Sequence, residues 1–438
     1  MKKLLLSLAL AATLPAQVTV LQNVDLIDGA GAPPKRGVSI VISGGRIRDI
    51  RPAAQLKPPS GASVLDLTGK TVMPGIINLH GHVGLVKGLT QARENYTRDN
   101  IEAHLRAYAS YGITSVVIMG SDIEPELMIR IRDAQRDGRI LGARVYTAGR
   151  GFTAMGGYPA VLPGNKGVPF EVATAAQARA YVDQLAKMRV DPVKMWVDDE
   201  LGRYQKLAPE LATAIIDQAH KHKLKVASHL FYLADAKSLL DAGLDAMAHS
   251  VRDKDVDDEL IAKLKKNNAT AIATLTREQS VFVYGDRPAW LDDPFFQRGV
   301  TPDVVATLQS DAYVNKVAGN PDAPKFKTFF QTASRNLKKL HDAGIRIGFG
   351  TDTGPPGRIQ GFFEHWEMEL MVQSGLTPMQ VIQTAGKNAA EYLGVSRDFG
   401  TLEKGKYADL IVLDKSPLDD IRNTHTIRAV YIGGQKQN

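Results

Sequence analysis

Two hydrophobic patterns alternate along the chain. At the start, β-rich pieces at 18–20, 25–27, 38–42 and 46–50 are broken by the turn signals Asp28-Gly29 and Gly44-Gly45. The far end reads the same way, with pieces at 408–413 and 427–432 before Gly433-Gly434. Both blocks flank a long middle, and predict one small β-sandwich domain built from 17–71 and 402–438. The middle itself alternates strand and helix. Apolar strands are expected at 76–79, 115–119, 144–148, 193–197, 225–228, 246–248, 271–274 and 346–350. Helical periodicity separates them, for example at 99–111, 175–188, 209–222 and 235–242. Turns such as Tyr111-Gly112-Ile113 and Ala242-Gly243-Leu244 suit helix C-termini. Strand–helix units repeated in this order predict an α/β fold, a (β/α)8 TIM barrel over 72–401.

One unit departs from the repeat. Between the seventh strand and a helix near 329–341 lies a long stretch rich in aromatics and proline, including Phe282, Tyr284, Trp290, Phe295, Phe296 and Tyr313. Such connections normally take about 2–6 residues. The segment 276–326 is therefore expected to be an insertion over the barrel mouth, a lid or substrate wall.

Composition narrows the chemistry. The 438 residues include no cysteine, which excludes disulfides, thiolate nucleophiles and thiolate-bound metals. A metal site must then use His, carboxylate or modified Lys. The formal charge of +7 is scattered, and no basic run with interleaved aromatics points to nucleic acid. Lys2 and Lys3, an apolar run at 4–14 and Pro15-Ala16-Gln17 read as a signal peptide over 1–16. That predicts a periplasmic or secreted protein, free of the membrane once the signal is removed. A homo-oligomer is compatible with the sequence.

Candidate chemistry gathers at the strand ends. In His80-Gly81-His82 the two imidazoles point the same way from an extended strand. His229 ends the fifth strand, His249 the sixth and Asp352 the eighth, on the face where such barrels keep their active sites. Lys194 sits earlier, within the fourth strand, and must point inward. Each residue alone has a structural explanation: a satisfied core His, a Lys paired with Asp198 or Asp199, a turn-capping Asp. Their coincidence at one rim favours a metal centre. Imidazole and carboxylate without thiolate suit zinc and related ions.

For a small-molecule substrate, the polar residues just past these positions are candidates. Tyr232 and Arg252 each follow a candidate His by three, Tyr158 lies on the loop after the third strand, and Arg277 lies just past the seventh. An Arg there could clamp a carboxylate. Their plain alternatives are a salt bridge from Arg252 to Asp253 or Asp255, and loop packing for the tyrosines. With the aromatic insertion, they suggest an N-acyl amino acid or a dipeptide.

The stretch VMPGIINLHGH at 72–82 resembles the opening metal motif of the amidohydrolase superfamily. VKMW at 193–196, Ser228-His229, Ala248-His249, Gly350-Thr351-Asp352 and the tail GTLEKGKYADLI at 400–411 resemble its later motifs in order. The resemblance spans about 18–436. It is nearest to the imidazolonepropionase-related group that includes prolidase-like dipeptidases and ochratoxin-type amide hydrolases. It implies two divalent ions: His80, His82 and Asp352 on one, His229 and His249 on the other, and Lys194 as a bridging carbamate (N6-carboxylysine). It also implies Asp352 as the catalytic proton carrier in amide hydrolysis. Relatives with that Lys carry the bridge, which argues against imidazolonepropionase activity itself. A lactonase or phosphotriesterase would use the same centre, and a non-catalytic metal-binding relative is a further alternative. The loop reading Gly156-Gly157-Tyr158-Pro159 departs from the Gly-His-Gly-His run of prolidase-like members.

Overall fold

The structure, a computed structural model, describes residues 18–437. The expected signal segment 1–16 lies outside the described residues. No helix among them is long and apolar enough to cross a membrane.

The two termini meet in a single hydrogen-bonded sheet of eight strands. Its centre is Leu410–Leu413 running antiparallel to Thr71–Pro74, which in turn pairs in parallel with Thr19–Leu26. The pieces expected at 18–20 and 25–27 are one strand, with a register shift between Leu21 and Val24. Asn23, at φ 62°, supplies the left-handed kink there. Leu21, Val24, Ile40, Val72 and Leu410 fill its apolar side. The ladder is continuous from the N-terminal block to the C-terminal one.

The middle is mixed α/β. Its parallel strands are Ile76–Gly81, Ile113–Ile118, Arg144–Thr147, Pro192–Val197, Lys225–Leu230, Ala246–Met247, Thr270–Ala273 and Arg346–Phe349. All fall within two residues of their expected positions, because each is a buried run cut off by local turn residues. The first three form one ladder, and the other five form a second, seven-stranded ladder together with the short strands Phe152–Ala154 and Phe170–Val172. Two successive strands stand at the gap between them: Arg144–Thr147 pairs with the second strand, and the separate strand Phe152–Ala154 pairs with the fourth. At the other side, a lone parallel bridge joins Gly81, on the first strand, to Thr353 beyond the eighth.

The segment 276–326 is mostly helical, with short helices such as Pro302–Gln309 and Asp311–Ala318. Its aromatics turn to the protein rather than to an opening. Trp290 packs 4.9 Å from Phe362 and 5.4 Å from Trp366 on the helix Phe362–Gln373. Phe295 packs 4.9 Å from Tyr111. The segment does brace one neighbour: the Tyr284 hydroxyl donates to the carbonyl of Gly357.

Candidate metal centre

The four histidines and Asp352 converge where the strands end. Ring centroids lie 4.7 Å apart for His80 and His249, and 4.3 Å for His229 and His249. Nε2 of His82 is 2.9 Å and Nε2 of His80 3.4 Å from the same Asp352 oxygen. His80 lies on the first strand and His82 just past its end, two residues on, so the extended backbone turns both toward Asp352. Asp352 holds its place in a left-handed backbone, φ 58°, a strained geometry for a non-glycine residue. Gly354 must stay glycine, since a Cβ there would come within 2.3 Å of the His82 carbonyl oxygen.

Lys194 lies among them, fully buried, and its Nζ has no hydrogen-bond partner. The paired-Lys alternative therefore fails. Asp198 is taken instead by Nε2 of His229, at 2.8 Å. Burial pushes the Lys194 pKa down to about 7, while Asp352 pulls it back upward. The same burial holds the His80 and His249 imidazoles well below their ordinary range and brings His229 down to about 3. Burial pushes the Asp352 carboxyl up. The Arg358 guanidinium and the facing imidazoles outweigh that and hold it well below the usual carboxylate range.

This donor set fits divalent ions. Neutral imidazoles, an ionised carboxylate and an orphaned amine converge on one buried spot. Nδ1 of His80 and Nε2 of His249 are likewise buried without partners. Outer partners fix two of the rings: Thr274 bonds Nδ1 of His249 at 2.7 Å, and Ser121 bonds Nδ1 of His82 at 2.8 Å. Geometry also groups Asp198 and Glu200 with His229, their ligand atoms lying within 4.8 Å of one another. Glu200, however, already faces Arg277 at 3.4 Å.

A cavity of about 340 Å³ opens over the centre. Tyr158 lines it, with its ring 5.2 Å from that of His229. Its other walls come from the loops after the first, third and eighth strands, with Leu85, Leu162, Val168 and Pro356 giving an apolar surface. No residue of 276–326 lines it, so the expected substrate wall is built by other loops. Three expected substrate residues also lie elsewhere. Tyr232 donates its hydroxyl to Asp199 at 2.9 Å. Arg252 is fully buried, its Nε 2.9 Å from Glu278 rather than paired with Asp253 or Asp255. Arg277 is buried between Glu278 and Glu200. Sequence reasoning missed Arg358, which lines the cavity and pairs with Asp352. It stands six positions after Asp352, past a Gly-Pro-Pro-Gly turn that signals a loop but not its course.

The ochratoxinase of Aspergillus niger is 24% identical, over 97% of this chain and 86% of that protein. Among solved structures, a Bifidobacterium longum protein assigned as a prolidase superposes with a TM-score of 0.77 at 26% identity, covering 96% of this chain and 95% of its own. A Xaa-Pro dipeptidase with bound methionine gives 0.75 at 23% identity, covering 96% and 99%. Residues 71–436, from the last N-terminal strand to the end of the terminal sheet, match the model of the amidohydrolase family, and the chain belongs to that family of hydrolases.

Proposed function

We propose that the chain is a binuclear metal-dependent amidase that cleaves a dipeptide or an N-acyl amino acid. The observation that carries this reading is Lys194. A buried, partnerless amine with a lowered pKa, surrounded by imidazoles and a carboxylate, suits addition to CO2 with loss of a proton, and the resulting carbamate would offer oxygen donors to two cations. His80, His82 and Asp352 would hold one ion, and His229 and His249 the other, with zinc the ion best matched to the donors. When bound, such ions lower the pKa of water to near neutral and polarise a carbonyl. The protein does the rest. Asp352 takes the proton from the attacking water and passes it to the leaving nitrogen. Asp198, as an ionised acceptor, keeps the proton of His229 on Nε2, and Thr274 holds the His249 ring in place through Nδ1. Tyr158, kept protonated by burial, donates toward the substrate carbonyl. Apolar walls exclude bulk water.

The same reading treats the two parallel ladders as one closed (β/α)8 barrel, supported by the adjacent strands Arg144–Thr147 and Phe152–Ala154, one in each ladder, and by the Gly81–Thr353 bridge. It treats the terminal sheet as a folded-over sandwich, supported by the strand Thr19–Leu26, which changes partner from Ser63–Asp66 to Thr71–Pro74 halfway along. Export rests on the sequence of residues 1–16 alone.

The test is protein grown with bicarbonate and zinc, analysed for metal and assayed on Xaa-Pro dipeptides, N-acyl aromatic amino acids, lactones and phosphotriesters. Two ions per chain and amide turnover are expected. One ion, or turnover confined to lactones or phosphotriesters, would overturn the proposal.

A further inference from the structure

Arg358 is the one Arg or Lys among the described residues that line the cavity. Its guanidinium is fixed on one side. Nη1 pairs with the Asp352 carboxylate and lies 3.3 Å from the Asp352 carbonyl, and Nε donates to Ser280 at 3.0 Å. Nη2 makes no hydrogen bond to any described residue. The loop beneath is closed by its own backbone: Gly354 donates to the Arg358 carbonyl at 3.0 Å, and Arg358 to that of Pro355 at 2.9 Å. Tyr284 holds the same loop from outside. A cation is thus presented at the metal end of an otherwise largely apolar cavity, in a position set before any ligand arrives.

Carrying a carboxylate into such a cavity is costly without a cation or donors to meet it. Arg252, Arg277 and Tyr232 do not line the cavity, and pair with Glu278, Glu200 and Asp199 respectively. We propose that Arg358 selects the substrate: its free edge takes the carboxylate of an anionic amide, whose apolar side group lies against Leu85, Leu162 and Val168. The inference rests on the amidase reading above. The carboxylate shares the guanidinium with Asp352, so the substrate's anionic end is anchored beside the proton carrier. The scissile amide is thereby kept at the metal end of the cavity. A neutral analogue of the same shape keeps the apolar contacts and loses the anchor.

Calorimetry on the metal-loaded full chain tests this with an uncleavable pair, N-methanesulfonyl-L-phenylalanine and its carboxamide. The wild type should prefer the acid by about 10–100-fold, the range of one charge-assisted hydrogen-bond pair. Arg358→Gln should bring the two ligands within about twofold of each other, and Arg358→Lys should keep part of the preference. Equal binding of both ligands to the wild type, or an undiminished preference in Arg358→Gln, would overturn the role of Arg358. Should the Gln variant not fold, the wild-type ratio and the Lys variant decide. Acid-selective binding lost in Arg358→Gln, without turnover of any amide, would sink the amidase reading and leave Arg358 as the anion anchor.

Discussion

The two halves of the candidate centre settle their charges differently. On the first and eighth strands, the candidate ligands pair with one another: His82 and His80 both face Asp352. On the fifth and sixth strands they pair outward, His229 with Asp198 and His249 with Thr274. The difference follows from the donor sets. A set that contains a carboxylate supplies hydrogen-bond acceptors for its own imidazoles. A set of neutral imidazoles alone takes its partners from outside, and for His229 the partner is a carboxylate just past the fourth strand. That register is built into the sheet, where Trp196 pairs with His229 and leaves Asp198 two residues beyond.

The largest effect should come from breaking the first half. Asp352→Asn should lower kcat by about 10²–10⁴-fold, the usual worth of general acid–base catalysis, while metal content stays near two. Steady-state kinetics beside metal analysis checks this, and near-normal turnover would remove Asp352 from the chemistry.

The second half should fail in binding rather than in turnover. Asp198→Ala should weaken the second ion by about 10–100-fold, read by competition with a chelator. Glu200→Gln sharpens the point. It should leave two ions in place, and loss of one would mean that Glu200, not His249, completes the second site.

The smallest effect concerns stability without metal. Below the ordinary His value of 6.5, the unfolded chain takes up a proton that folded His229 refuses until about pH 3. Stability from this imidazole is therefore full above pH 6.5, falls as pH drops through that window, and levels off below it. Between pH 6.5 and 4.5 the loss should be about 2 kcal/mol. Urea unfolding of chelated protein should show a pH slope shallower by that amount in His229→Asn. An unchanged slope would mean that His229 is not held neutral.

Legibility followed the range of the interactions. The strands and the ligand positions at their ends could be read because each is set by a few neighbours in sequence: an apolar run, a turn, a polar residue at the rim. Tyr158 lines the cavity from the loop after the third strand. Arg252 looked as well placed, yet Glu278, distant in sequence, captures it. The aromatic insertion read as a lid because its composition is apolar. Its facing depends on Phe362 and Trp366, which offer a better apolar surface than the cavity mouth.

The sequence by itself determined the alternation of elements, the family motifs and the strand-end positions of the candidate residues, since all of these are local patterns. Tertiary structure alone decided which carboxylate serves His229, that Lys194 is left without a partner, and that Arg358 rather than Arg252 reaches the cavity. Those outcomes depend on which charged groups meet after burial. A buried charge takes the nearest opposite partner in space, and sequence order does not record that distance.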